Sequence, residues 1–168
     1  MPVIIRPADP ADAAAISVIY NQGIAERTAT FETDPRSLAD IEAGLRDQLR
    51  YPTIVAEEDG AVVGWAGVSS YRPRACYSGI GEFSIYIDRV ARGRGIGRQL
   101  LDALVDEARG RGYWKLVARI FPFNEASRRL CLTGGFREVG VYEKHGRLDG
   151  RWTDVIIVER LIQENLEE

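Results

Sequence analysis

Residues 89–98 read Arg89-Val90-Ala91-Arg92-Gly93-Arg94-Gly95-Ile96-Gly97-Arg98, and the elements on either side of them set the fold. Upstream, Gly81–Asp88 alternates, with Phe83, Ile85 and Ile87 on one face and Glu82, Ser84 and Tyr86 on the other, which is the period of a strand. Downstream, Ile96, Leu100, Leu104 and Ala108 repeat at helical spacing. The loop therefore joins a strand to a helix N-terminus, where free backbone N–H groups and the helix dipole favour an anion. Gly93, Gly95 and Gly97 let the main chain approach a ligand closely, and Arg92, Arg94 and Arg98 supply charge suited to phosphate oxygens. A nucleotide pyrophosphate fits such a loop; the competing reading is a glycine-rich solvated turn with incidental arginines. Spacing excludes two common phosphate loops. Neither lysine nor Ser/Thr follows the last glycine, as GxxxxGK[ST] requires, and Gly93-Arg94-Gly95-Ile96-Gly97 is not GxGxxG.

Working outward, Val3–Ile5 predicts a short first strand, and Asp9 with Pro10 an N-cap ahead of a helix bearing Ile16, Ile19 and Tyr20 on one face. Ser37 with Asp40 resembles a capping pair, and Leu38, Ile41, Leu45 and Leu49 predict a second amphipathic helix. Thr53–Glu58 and Ala61–Ser69 flank Asp59-Gly60, a hairpin signal. Lys115–Ile120 reads as a strand, Asn124 as the cap of a short helix, and Gly134-Gly135 as its stop. Val139–Glu143 and Thr153–Arg160 close the chain as an antiparallel pair around Asp149-Gly150. The order β-α-α-β-β-β-α-β-α-β-β predicts an α+β fold, a mixed and mostly antiparallel twisted sheet flanked by helices.

At 168 residues the chain is expected to form one domain over residues 1–168, since a domain takes about 150 residues. It contains 45% hydrophobic and 28% charged residues, as folded soluble chains do, and no uncharged apolar run approaches membrane-spanning length. The N-terminus lacks the basic and apolar regions of a secretory signal. Two cysteines and one histidine provide neither a disulfide framework nor a zinc-ligand set, so a reducing cytoplasm and no metal are expected. A net charge of −3 argues against nucleic-acid binding. Only Lys115 and Lys144 among the 22 basic residues are lysine; base composition of the genome is the plainer account of the bias as a whole, and the local clustering of arginines is the better sign of anion binding.

Arg92-Gly93-Arg94-Gly95-Ile96-Gly97 resembles the Arg/Gln-x-x-Gly-x-Gly/Ala signature of the GCN5-related N-acetyltransferases (GNAT), and Asn124-Glu125-Ala126-Ser127, Gly135-Phe136 and the element order agree with it. Within that superfamily, Tyr71-Arg72-Pro73-Arg74, Gly81–Ile87 and Gly150-Arg151-Trp152-Thr153-Asp154-Val155 resemble phosphinothricin and methionine sulfoximine N-acetyltransferases. Asn21-Gln22-Gly23-Ile24, Thr30-Phe31-Glu32-Thr33 and Val141–Gly146 are similar to the arsinothricin-resistance branch. The resemblance implies acetyl-CoA as co-substrate, a small anionic glutamate-like amino acid acetylated on its α-amine and so detoxified, and a homodimer.

It also implies site residues. Arg92–Arg98, Asn124 and Ser127 would hold the cofactor with the main chain of Ile85, Tyr86 and Ile87. Acyl transfer to an amine needs a base, because an ammonium must lose a proton before attack. Spacing leaves Glu82 equally a base or a strand carboxylate that is solvated or paired with a cation; the resemblance makes it the base. Arg72 and Arg74 are expected to bind the substrate's anionic groups, with Phe31 and Tyr77 closing the pocket. Cys131 stands where relatives commonly carry a tyrosine or histidine acid, and it reads either as proton donor to the leaving thiolate or as a buried inert thiol. The alternatives to amino-acid acetylation are an enzyme for protein N-termini or polyamines, and a non-catalytic acyl-CoA sensor.

Overall fold

The computed structural model describes residues 2–167. The strands are β1 (Ile4–Pro7), β2 (Thr53–Glu58), β3 (Ala61–Ser70), β4 (Ile80–Ile87), β5 (Lys115–Ile120), β6 (Arg137–Leu148) and β7 (Arg151–Leu161). The α-helices are α1 (Ala13–Glu26), α2 (Leu38–Gly44), α3 (Ile96–Gly110) and α4 (Glu125–Thr133). The strands form one sheet in the order β1-β2-β3-β4-β5-β7-β6, antiparallel except for β4 and β5. The α+β expectation holds.

Local chemistry accounts for the boundaries. The Asp9 side chain accepts from the Ala11 N–H and closes a capping box with Asp12, and Ser37 and Asp40 do the same ahead of α2. Asp59 and Gly60 both take positive φ, 52° and 79°, as a two-residue turn that matches strand twist requires. The predicted second helix is shorter than expected. It ends at Gly44, Asp47 captures the N–H of Arg50 with its side chain, and Leu49 lies 86% exposed rather than on a buried face.

The sheet is covered on both sides. Ala13, Ile16 and Ile19 of α1 bury against Val55 and Trp65. On the opposite face Ile96, Leu100, Leu101, Leu104 and Val105 of α3 pack on Ile54, Ala56, Ala66, Val68 and Phe83, with Cys131 of α4 in the same core. The feature that creates a site is a missing stretch of ladder. β4 pairs with β3 from Gly81 to Ile87, yet with β5 only through Ile80, Gly81 and Glu82, opposite Lys115, Leu116 and Val117. Beyond Glu82 the two parallel strands part, so the β5-facing backbone of β4 has no strand to bond to.

Candidate active site

Three connected hollows follow the parted strands. The first is a cleft of about 470 Å³ whose lining includes Ile85, Tyr86 and Ile87 of β4, the loop residues Arg92, Gly93 and Gly95, the first turn of α3 through Arg98, and Asn124 and Ser127. Gly95 is the N-cap of α3 at φ 82° and offers no side chain to the first helical N–H groups. Positions where β-carbons of Gly93 and Gly95 would point have no heavy atom within 4 Å, so ligand phosphates can reach the main chain there. These donors, and the unpaired β4 edge, fit a pyrophosphate carried on an amide-containing arm, which is the chemistry of acetyl-CoA.

The arginines of the loop divide. Arg92 lines the cleft, donates through Nη1 and Nη2 to the two Glu26 oxygens at 2.7 and 2.8 Å, and bonds the Ile87 carbonyl through Nε at 3.1 Å. The side-chain bonding from Arg92 holds the Glu26 carboxyl below its ordinary range despite partial desolvation. Arg98 lines the cleft and pairs with Asp102 one turn along α3 at 3.0 Å. Arg94, expected among the cofactor residues, instead pairs with Glu58 at the end of β2 and does not line the cleft. Asn124 is a brace rather than a free contact. Its Oδ1 accepts from the Ser127 N–H at 3.2 Å, capping α4, and its Nδ2 donates to the Thr28 carbonyl at 3.1 Å.

A neck of about 90 Å³ joins this cleft to a second hollow; Ser84, Ile85 and Tyr86 form one side, Arg119 and Ile120 the other. Cys131 lines the neck, 3% exposed, and burial pushes its thiol up to about 12. A thiol held that tightly protonated is a weak donor to a leaving thiolate, whose conjugate acid titrates near 8.5 as free thiols do. The buried, inert reading of Cys131 is the one its surroundings favour.

The second hollow, about 480 Å³, contains Glu82 and Phe31 as expected, together with Tyr20, Glu32, Arg36 and Arg119. Phe31 lines it edge-on to Phe121, at 4.8 Å between centroids. Glu82 Oε1 accepts from Arg119 Nε at 2.8 Å, and Arg119 Nη2 stands at ion-pair distance from the same oxygen, also 2.8 Å. Across the hollow Glu32 accepts from Arg36 and from the Tyr20 hydroxyl, whose pKa burial raises further above its ordinary value.

Arg72 and Arg74 are not brought to Glu82. They lie in a separate hollow of about 420 Å³, stacked over Tyr71 and Tyr77 at 5.2 and 5.7 Å, and Tyr77 faces that hollow too. The two hollows share no lining residue: Ser69 of β3 lines the first beside Glu82, and Ser70, whose side chain points to the other face of the strand, lines the second. The arginines that share the hollow with Glu82, Arg119 in contact with it and Arg36 across from it, escaped the sequence reading. Arg119 had a signal: in Lys115–Ile120 the alternation buries Leu116, Ala118 and Ile120, which leaves Arg119 on the other face, and the parallel pairing sets that face beside Glu82. Arg36 had none, because it reaches the hollow from an irregular segment.

Comparison with known proteins agrees with this geometry. The profile of the Acetyltransferase (GNAT) family matches residues 19–136. An L-methionine sulfoximine/L-methionine sulfone acetyltransferase of Salmonella typhimurium is 39% identical over 166 residues, covering 96% of this chain and 95% of that protein. A phosphinothricin N-acetyltransferase of Alcaligenes faecalis is 36% identical over 89% of this chain and 77% of its own length. Among solved structures, a Salmonella typhimurium acetyltransferase bound to its cofactor acetyl-CoA superposes with a TM-score of 0.92 at 34% identity, over 100% of this chain and 96% of the other.

Proposed function

Since the chain belongs to the acetyltransferase (GNAT) family, we propose that it moves the acetyl group of acetyl-CoA to the α-amine of a small, anionic, glutamate-like amino acid such as methionine sulfoximine or phosphinothricin, and so confers resistance to it. In this reading residues 1–168 act as one catalytic domain in the cytoplasm; no helix among the described residues is long and apolar enough to cross a membrane.

The observation that carries the reading is the continuity of the cleft, the neck and the Glu82 hollow, with guanidinium groups matching both carboxylates of that hollow. A polyamine acceptor calls for unmatched carboxylates, whereas an amino acid presents an ammonium and anions together and suits paired charges of both signs. Acetyl-CoA, when bound, supplies an activated acyl thioester. The first turn of α3, Arg92 and Arg98 hold its pyrophosphate, Ser127 borders its arm, and the free main chain of Ile85–Ile87 aligns and polarises the acyl group at the neck. Glu82 takes the proton of the substrate ammonium, directly or through a water, so that the nitrogen lone pair faces the neck. Arg72 and Arg74 line a separate hollow and carry no step here. Protonation of the departing thiolate falls to solvent.

We further propose a homodimer. The edge strand β6 exposes Val139, Val141 and Tyr142, with Trp152 of β7 exposed beside it, and an unpaired apolar edge of this length calls for a cover. Val141→Glu is expected to halve the mass measured by light scattering.

The deciding experiment is thiol release from acetyl-CoA in the presence of phosphinothricin, methionine sulfoximine, arsinothricin, glutamate, spermidine or a short peptide. Turnover with a glutamate analogue alone is the expected result. Turnover with spermidine or peptide instead would replace the substrate class, and acetyl-CoA binding without turnover on any acceptor would make the chain a sensor.

A further inference from the structure

The hollow beside Glu82 contains two guanidinium groups, and they are not equivalent. Arg36 is fastened to Glu32, which the Tyr20 hydroxyl also engages, and it lines only the hollow. Arg119 lines the hollow and the neck alike, and among the described residues it is the one charged side chain that does both. Its pairing with Glu82 uses Nε and Nη2 on a single carboxylate oxygen, and its side chain remains 53% exposed. The Nη1 group and the outer Nη2 hydrogen are left as a second donor edge, the geometry that receives a carboxylate bidentately.

An α-amino acid carries its amine and its carboxylate on one carbon. Whatever group binds that carboxylate must therefore stand within one carbon of the amine that reacts, at the neck and next to the base. Arg119 occupies that place. We propose that Arg119 is the receptor for the α-carboxylate of the acceptor: one edge of the guanidinium fixes Glu82, the other fixes the substrate, and the ammonium is thereby presented to the carboxylate that deprotonates it. This makes Arg119 the residue that selects α-amino acids over other amines, and it deepens the substrate reading above, on which it rests. Arg72 and Arg74, in a hollow that shares no residue with this one, are not needed for that contact.

The test compares methionine sulfoximine with the amine left when its α-carboxylate is removed, in wild type, Arg119→Ala and Arg119→Lys, reading kcat/KM for each. The wild type is expected to prefer the amino acid by about 100-fold, as two charge-assisted hydrogen bonds would give. In Arg119→Ala that ratio should fall to within a few-fold, and Arg119→Lys should lie between, keeping the charge without the fork. Acetyl-CoA-induced thermal stabilisation reports that each variant is folded; if the alanine variant is not, the shorter, uncharged but polar Arg119→Gln takes its place. Should both substrates slow equally while the ratio persists, Arg119 serves Glu82 alone and the proposal is overturned with the amino-acid reading intact. A wild type that acetylates no amino acid overturns both.

Discussion

Gly23 of α1 lies directly against the ring of Tyr86: a β-carbon there would sit 2.5 Å from Cε1 and 2.7 Å from Cδ1. Tyr86 is in turn held by Tyr20 and Trp65, at 4.9 and 5.3 Å between centroids, and its residue borders the cleft, the neck and the Glu82 hollow alike. The packing of α1 thus sets the position of the parted end of β4. Burial also pushes the Tyr86 phenol up to about 12, so it stays protonated through the neutral range.

Gly23→Ala is therefore expected to destabilise, although alanine is the better helix former. Propensity would favour the substitution by roughly 1 kcal/mol, while overpacking a rigid ring against backbone costs about 1–3 kcal/mol. The net effect should lower Tm by about 2–6 °C and raise KM for acetyl-CoA, since β4 shifts with Tyr86. Differential scanning calorimetry and steady-state kinetics check both; an unchanged or higher Tm would show that the ring yields freely.

Glu82→Gln keeps the shape of the side chain and an acceptor for Arg119 but removes the base. kcat should fall about 10²–10⁴-fold, with acetyl-CoA affinity by calorimetry within about two-fold of wild type. A turnover number near that of the wild type would move the proton-accepting role elsewhere, for instance to solvent.

Most of the fold was legible in the chain because its signals are local. The capping pairs at Asp9 and Ser37, the turn at Asp59-Gly60 and the alternation of Gly81–Asp88 each act within a few residues, and each reappears in the structure. The loop at Arg89–Arg98 was legible for the same reason. What the sequence concealed was set by long-range pairing. Arg94 turns to Glu58, which is 36 residues away, and Asn124 to the Thr28 carbonyl, 96 away, so neither is as free as its motif suggests. Arg72 and Arg74 looked like partners of Glu82 because they precede its strand. The chain between them folds into a hollow of its own, and Arg119, which lies 37 residues beyond Glu82, arrives through the one parallel pairing of the sheet. Leu49 fits the helical period of residues 38–45, yet Gly44 and Asp47 end the helix before that period can apply.

Two arginines of the loop should respond differently to the same change. Arg92 lines the cleft, and its exposed pairing with Glu26 is a surface ion pair of about 0–1 kcal/mol, weak enough for a phosphate to draw the guanidinium across. Arg92→Gln should raise KM for acetyl-CoA about tenfold with little change in kcat, and flatten the dependence of KM on salt. Arg94→Gln, outside the cleft, should change KM by less than about two-fold. Equal losses in the two variants would mean that Arg94 leaves Glu58 when the cofactor arrives.

Cys131 gives a prediction with a sign that pH reveals. Because burial pushes its thiol up to about 12 in the fold, the unfolded chain loses that proton first. The stabilisation is fully present below about pH 9 and is lost as pH climbs toward 12. Cys131→Ala leaves a small void in the core and should be less stable than wild type by about 1 kcal/mol near pH 7. Near pH 10.5 the margin should shrink, because the wild type alone carries the penalty of an ionisable thiol. Urea unfolding at the two pH values measures this. In the same variant kcat should remain within about threefold of wild type, since a thiol this hard to ionise does not protonate the leaving group. A fall of a hundredfold, with a changed alkaline limb in the pH–rate profile, would instead assign that proton to Cys131.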